Sequence, residues 1–355
     1  MPDQLKQLRS RIDALDREIL KLINERAAAA HAIGKVKGDG PVYRPEREAQ
    51  VLRQMAESNP GPLPDQAVMH LFTEIISACR ALEDEFSVAC LGPKGTFSEE
   101  AVVKHFGIQA TVTLCGSIDE VFRAVEAGSV GYGVVPVENS TEGAVGRTLD
   151  NLLSTPLRIC GEVVLAVHQN LLSRAANITA VKRIYSHAQS LAQCSRWLNQ
   201  NCPHPERVPV ASNAEAARMA AAETDAAAIA GRSAADHYGL PVLAANIEDQ
   251  PNNTTRFAVV SRQEVPPSGN DKTSLVMSTR NIPGAIHELL TPLARCAVSM
   301  TRLESRPSRT GLWEYVFYVD LEGHQTEEKV ARALDEMRGL AAFLKVLGSY
   351  PVAAQ

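Results

Sequence analysis

No run of apolar residues in this 355-residue chain is long enough to span a bilayer, and no block of basic residues stands out. The first absence argues against a membrane protein. The second, with a formal net charge of −5, argues against nucleic acid as a partner. The opening stretch MPDQLKQLRSR has no apolar core, so a signal peptide is not expected. The cysteines number seven and none is spaced CxxC, which argues against a disulfide frame or a zinc site. Reduced, buried thiols in a cytoplasmic protein are expected instead. His105, His168, His187, His204 and His237 are scattered without metal-ligand spacing, so no metal is expected and no cofactor is called for. A Walker A loop, a Ser-His-Asp order and a thiol in a helix-start loop are all missing, which leaves a nucleotide enzyme or a covalent hydrolase without support.

What is present begins with a helix. Leu5, Leu8, Ile12, Leu15, Ile19, Leu22 and Ile23 recur at spacings of three and four, which predicts one long helix over Gln4 to Lys37 with a single apolar stripe. Arg9, Arg26 and Lys37 are cations on it. Arg26 and Lys37 stand about 16 Å apart on one face and can bracket a small dianion, whereas Arg9 lies about 25 Å from Arg26. Arg9 is therefore expected to serve a second copy of the site across a dimer. Tyr43-Arg44-Pro45-Glu46-Arg47-Glu48 opens a second helix, with Pro45 suited to its first turn. A third helix is expected from about Pro64 to Asp84, its apolar face carrying Val68, Leu71, Phe72, Ile75, Ile76 and Cys79. Glu83 extends that face, and a carboxyl there must pair with a cation or take up a proton.

Through LRSRIDALDREILKLINER, GKVK and YRPEREAQVL, residues 3 to 86 resemble the all-helical chorismate mutases. The resemblance implies active-site roles for Arg9, Arg26, Lys37, Arg47, Glu48 and Glu83. Lys37 and a protonated Glu83 would face the breaking ether bond. Arg44 stands where some members are acidic, Cys79 where some have serine, and Glu83 where enteric relatives have glutamine.

From Ser87 onward, short β-branched runs alternate with helical segments, which predicts an α/β unit with a mostly parallel sheet. Polar clusters fall at strand ends: GTFS, ENST, SHAQS and NNTTRF. Together they suggest one polar cleft between two lobes, since ligands in such sheets lie beyond the strand ends. The strings GPKGTFSEEA, VPVENSTEGAV, SHAQSLAQC and NNTTRF resemble prephenate dehydratases over about residues 88 to 262. That family's fold is a two-lobed body like the periplasmic binding proteins. The likeness implies roles for Glu138, Asn139, Ser186, Gln193, Thr255 and Arg256. Thr255 would donate to the departing hydroxyl. Arg256, with its planar fork, would clamp a carboxylate. Glu138 would be an acid or a structural cap.

A polar, Pro- and Gly-bearing stretch from Gln263 to Asp271 reads as a linker. Beyond it, strand, helix, strand, strand, helix and strand are expected in the ferredoxin-like order. NIPGAIHELL and TRLESRPSRTGLWEYVFYVDLEGH resemble the ACT regulatory domains attached to prephenate dehydratases. Gly284, Ala285, Glu304, Ser305, Arg306 and Pro307 match their phenylalanine-binding motifs, and Ile286-His287 departs from the usual Leu-Val.

The expected molecule is multidomain. It joins an all-α three-helix chorismate mutase domain (1–86), an α/β two-lobed dehydratase domain (87–263) and an α+β ferredoxin-like ACT domain (272–355). It would rearrange chorismate to prephenate, then decarboxylate and dehydrate prephenate to phenylpyruvate, with phenylalanine as effector and a homodimer or higher homo-oligomer as its assembly. An arogenate dehydratase and an inactive amino-acid sensor stay open as alternatives.

Overall fold

The computed structural model describes residues 2–38, 40–83, 85–280, 282–307 and 315–353, without the side chains of Pro2 and Lys37. Three helices come first: α1 (Pro2–Lys37), α2 (Pro45–Glu57) and α3 (Asp65–Arg80). Pro45 occupies the first turn of α2, where its missing N–H costs nothing. The predicted third helix ends sooner than expected, and Glu83 lies in the turn after it, its amide donating to the Arg80 carbonyl at 2.8 Å. The apolar stripe on the first half of α1 is not covered: Leu5, Leu8, Ile12, Leu15, Ile19 and Leu22 are about half exposed.

The first lobe of the α/β unit runs β1 (Ser87–Leu91), α4 (Phe97–Phe106), β2 (Thr111–Cys115), α5 (Ile118–Glu126), β3 (Tyr132–Asn139), β4 (Gly143–Ala144), α6 (Gly146–Ser154) and β5 (Arg158–Ala166). Its helices start on reciprocal caps. Thr96 accepts from the Glu99 amide while Glu99 accepts from the Gly95 amide, and Ser117 and Glu120 repeat the device with Gly116. The second lobe follows: β6 (Asn170–Ser173), β7 (Arg183–His187), α7 (Ala188–Gln193), α8 (Ser195–Asn201), β8 (Glu206–Val210), α9 (Asn213–Ala221), β9 (Ala226–Ala230), α10 (Arg232–Tyr238) and β10 (Val242–Ala244). The alanines of α9 pack on those of β9, so helix and strand approach closely. The chain then returns to the first lobe as β11 (Thr254–Ser261), between β3 and β5.

Neither sheet is mostly parallel, which corrects the sequence-based expectation. β2-β1-β3 and β8-β7-β9 are parallel, but β11, β5, β6 and β10 join antiparallel. The antiparallel strands are those beside the two crossings between lobes, where the chain reverses direction.

Last come β12 (Asp271–Ser278), α11 (Ala285–Arg295), β13 (Met300–Pro307), β14 (Tyr315–Glu322), α12 (Glu328–Leu340) and β15 (Phe343–Pro351), an antiparallel sheet in the order β13-β14-β12-β15. One face of this sheet is covered by α11 and α12. The other packs on the first lobe, where Val276, Val316, Tyr318, Leu347 and Tyr350 share a core with Leu149, Leu152, Leu157 and Ile159. The approach is close enough that a Cβ on Gly348 would overlap the Ile159 carbonyl. No helix among the described residues is long and apolar enough to cross a membrane.

Candidate functional site

A cavity of about 270 Å³ opens between the three N-terminal helices. Arg26, Arg47, Glu48 and Glu83 line it, so four of the six residues expected there are brought together. The Glu83 side chain lies against Gly34, where a Cβ would stand 2.9 Å from the carboxylate oxygen; glycine makes room for it. Arg26 donates to the Cys79 sulfur at 3.1 Å. Arg9 is exposed on the uncovered half of α1 and does not line this cavity. The Lys37 side chain lies outside the described residues. Sequence reasoning missed Arg80, which holds both oxygens of Glu48 at 2.8 and 2.9 Å. Burial raises the Glu48 carboxyl above its ordinary range, and Arg80 works against that rise.

The second cluster sits where β3 and β11 run side by side. Asn139 faces Thr255 across the pair, and Glu138 faces Arg256. Adjacent residues on a strand point to opposite faces, so the two couples part company. The Asn139 amide donates to Thr255 Oγ1 at 2.9 Å and to Asn253 Oδ1 at 2.8 Å. Its own carbonyl oxygen accepts from Thr141 Oγ1 at 2.6 Å and from the Thr141 and Glu142 amides. Gln193, arriving on α7 from the second lobe, donates to Thr141 Oγ1 at 3.1 Å and accepts from Asn253 at 3.3 Å. Because Thr255 Oγ1 is an acceptor for Asn139, its own O–H proton is left to donate elsewhere. Asn253 and Thr141 were not singled out in sequence, although NNTTRF and ENST contain them.

Arg256 and Glu138 stand on the other face, where both meet charges of the ACT sheet. Arg256 pairs with Asp320 of β14 at 2.5 Å and with Glu162 of β5 at 3.5 Å. Its guanidinium therefore joins the ACT sheet to the first lobe. Burial alone would raise the Asp320 carboxyl, but Arg256 and a Ser274 hydrogen bond hold it below the usual carboxylate range. Glu162 also takes Lys272 at 2.8 Å. Glu138 pairs with Arg302 of β13 at 2.7 Å, a second charged contact between the first lobe and the ACT sheet. Ser186 lies inside the second lobe. It has no exposed surface, and its hydroxyl bonds to Asn213 and the Ile229 carbonyl, so it orients Asn213 and through it Ser190.

The residues expected to bind an effector lie on two elements. Gly284, at φ +80°, caps α11 with open space around it, and Ala285 begins that helix. Ser305 and Pro307 are exposed on β13, and Glu304 just before them is half-buried. Arg306 instead reaches the first lobe, where it meets Asp150 at 3.3 Å and fills the space beside Gly146, so its guanidinium is a docking group. Residues 308–314 of the expected motif lie outside the described residues. At the far end of α6, Lys345 donates to the carbonyls of Leu152, Leu153 and Thr155 at 2.6 to 3.2 Å. The ACT sheet thus grips α6 at both ends, and α6 follows directly on the Asn139 loop.

Comparison with known proteins agrees with this division. Family models match at residues 8–84 (chorismate mutase type II), 88–265 (prephenate dehydratase) and 273–339 (ACT domain). A bifunctional chorismate mutase/prephenate dehydratase of Neisseria gonorrhoeae is 52% identical over 348 residues, 97% of this chain and 96% of that one. Its counterpart in Pseudomonas aeruginosa is 52% identical over 362 residues, 99% of this chain and 98% of the other. Among solved structures, a prephenate dehydratase from Arthrobacter aurescens in complex with L-Phe superposes with a TM-score of 0.70 at 36% identity, covering 75% of this chain and 90% of its own. The chain belongs to the family of bifunctional chorismate mutase/prephenate dehydratases that carry an ACT domain.

Proposed function

We propose that this chain performs two consecutive steps toward phenylalanine: rearrangement of chorismate to prephenate in the helical cavity, and decarboxylation with dehydration of prephenate to phenylpyruvate in the cleft. The observation that carries it is the presence in one chain of a cation-lined helical cavity and a threonine whose hydroxyl proton is freed by Asn139.

The first step needs no nucleophile and no net proton transfer. It needs a dianion held in a compact conformer, with charge stabilised at the breaking ether bond. Arg26 and Arg47 are placed for the carboxylates and Glu83 for the ether oxygen. The uncovered stripe of α1 supports a homodimer through that face, with Arg9 completing the partner's cavity. An Arg9→Ala chain mixed with an Arg26→Ala chain should then regain part of the mutase activity lost by each. No recovery after verified subunit exchange would remove the shared site.

The second step draws its driving force from the aromatic ring that forms. The ring carboxylate leaves as carbon dioxide, its electrons enter the ring, and the hydroxyl departs as water once it gains a proton. Thr255 donates a hydrogen bond to that oxygen, and Asn139, Asn253, Thr141 and Gln193 fix its direction. Phenylalanine is the effector, acting through the ACT sheet that grips α6. The coupling is reciprocal, so prephenate and phenylalanine weaken each other's binding by one factor. Seven buried, unpaired thiols suit the cytoplasm. Turnover of chorismate and of prephenate by the purified chain, with and without phenylalanine, tests all of this; a chain inert toward both substrates would end it.

A further inference from the structure

Arg80 is almost wholly buried, 4% exposed, at the last residue of α3. One end of its guanidinium carries the two bonds to Glu48 in the wall of the helical cavity. The other end donates to the carbonyl of Phe106, the final residue of α4 in the α/β unit. That carbonyl is at a helix C-terminus, where oxygen atoms lack intrahelical partners and a cation is favoured. The guanidinium also lies over three rings, 4.8 Å from the centre of Phe86 and 5.5 Å from those of Tyr43 and Phe106. Tyr43 belongs to the loop before α2, yet it packs in the core of the first lobe.

The surrounding contact is built to the same purpose. Gly107 adopts φ +75°, and α3 comes so near that a Cβ there would collide with Ser77. Glu74 and Ser77 then accept from the amides of Ile108 and Gln109, just beyond α4. The planar fork reaches Glu48 with one terminal nitrogen and Phe106 with the other; an ammonium would have to make these bonds from a single point on a shorter side chain.

We propose that Arg80 is a positioning residue for the mutase reaction, fixing Glu48 in the cavity wall only while α4 of the dehydratase domain is seated against α3. The inference rests on the mutase reading of that cavity. It makes the geometry of the first active site depend on the docking of the second domain. The charged and titratable groups around Glu48 are Arg80 on α3, Arg26 on α1, Glu46 on α2, Tyr43 before it and Tyr132 on β3, with Arg44, Arg47 and Glu83 around the cavity. Of these cations, Arg80 makes both side-chain bonds that the carboxylate receives.

The test uses the full chain with Arg80→Lys, Arg80→Gln, Glu48→Gln and the double variant Arg80→Gln/Glu48→Gln. In Arg80→Lys, mutase kcat/KM should fall roughly tenfold or more, the scale of a lost bond to a charged group. Dehydratase turnover should stay within about twofold, because its cleft is untouched. In Arg80→Gln, the acid limb of the mutase pH profile should move to higher pH, since the buried carboxylate has lost its cation. That limb should vanish in Glu48→Gln, and Arg80→Gln should add little to the loss in that background. Parallel loss of both activities with a lowered melting temperature, or an unmoved pH profile, would overturn the proposal. Should Arg80→Gln fail to fold, the neutral double variant decides, because a fully additive loss there sinks it. A wild-type chain without chorismate turnover would overturn this proposal together with the reading beneath it, whereas normal wild-type turnover with insensitive Arg80 variants overturns the proposal alone.

Discussion

Thr255 and Arg256 are neighbours on one strand, and the structure gives them opposite surroundings. Thr255 faces a cleft of neutral amides and hydroxyls, where Asn139 leaves its proton free. Arg256 faces a packed sheet, between two carboxylates that are each 3% exposed. The same split runs through Asn139 and Glu138 across the ladder. One short string can thus serve two ends through the twofold period of a strand: one face for chemistry, the other for docking. The charges of the helical cavity make a second contrast. There, a rearrangement within a dianion calls for cations, while the cleft around Thr255 calls for a directed hydroxyl.

The contrast breaks most sharply at Arg256. Removing one partner of a buried ion pair costs about 3–5 kcal/mol, because the other charge is left uncompensated. Arg256→Met strands Asp320, while Glu162 keeps Lys272. The variant should lose stability in denaturant unfolding and respond less to phenylalanine, with prephenate KM changed by no more than about twofold. A large rise in KM at unchanged stability would restore the clamp role and erase the contrast.

Thr255→Ala should do the reverse. Loss of a donor to developing charge typically lowers kcat by about 10²–10³. Stability should move little, and mutase turnover should survive, since Thr255 does not line the cavity of the first three helices. Near-normal dehydratase turnover in this variant would take Thr255 out of the chemistry.

Lys345 sharpens the docking side. Its ammonium donates to three carbonyls at the end of α6, which otherwise have no intrahelical partners. Lys345→Met should destabilise the chain by about 1–3 kcal/mol, the cost of leaving buried acceptors unpaired. It should also blunt inhibition by phenylalanine, because α6 leads back to the Asn139 loop. Full inhibition in this variant would mean that the effector signal takes another route.

Periodicity and caps made much of this fold legible. The stripe of α1, Pro45 at the start of α2 and the six elements of the ACT module all stand near where the sequence puts them. The site strings were legible as strings. Their facing was not, because ENST and NNTTRF look like loop chemistry until β3 and β11 are paired, and only pairing assigns Glu138 and Arg256 to the docking face. Arg80 left no trace in periodicity. It sits at the end of an apolar helix, where a lone arginine resembles an ordinary C-terminal cation, and its partners come from three separate stretches of chain.

The contact between the mutase helices and the first lobe offers the gentlest test, through His105. This ring is half-buried near Arg80 and shares a 2.6 Å hydrogen bond with Tyr43. Burial, helped by Arg80, pushes its pKa down from 6.5 to about 3. The sign follows from linkage. Below pH 6.5 the unfolded chain takes up a proton that the folded chain refuses until about pH 3. Stability from this site is therefore complete above pH 6.5 and is lost as the pH falls toward 3. A single such group sets a slope of about 1.4 kcal/mol per pH unit at most. Melting temperatures taken from pH 7 down to 5 should fall in the wild type, and His105→Gln, which cannot titrate there, should flatten part of that fall. Equal slopes in the two proteins would show that other groups govern acid stability at this contact, and that the Tyr43–His105 pair is neutral to it.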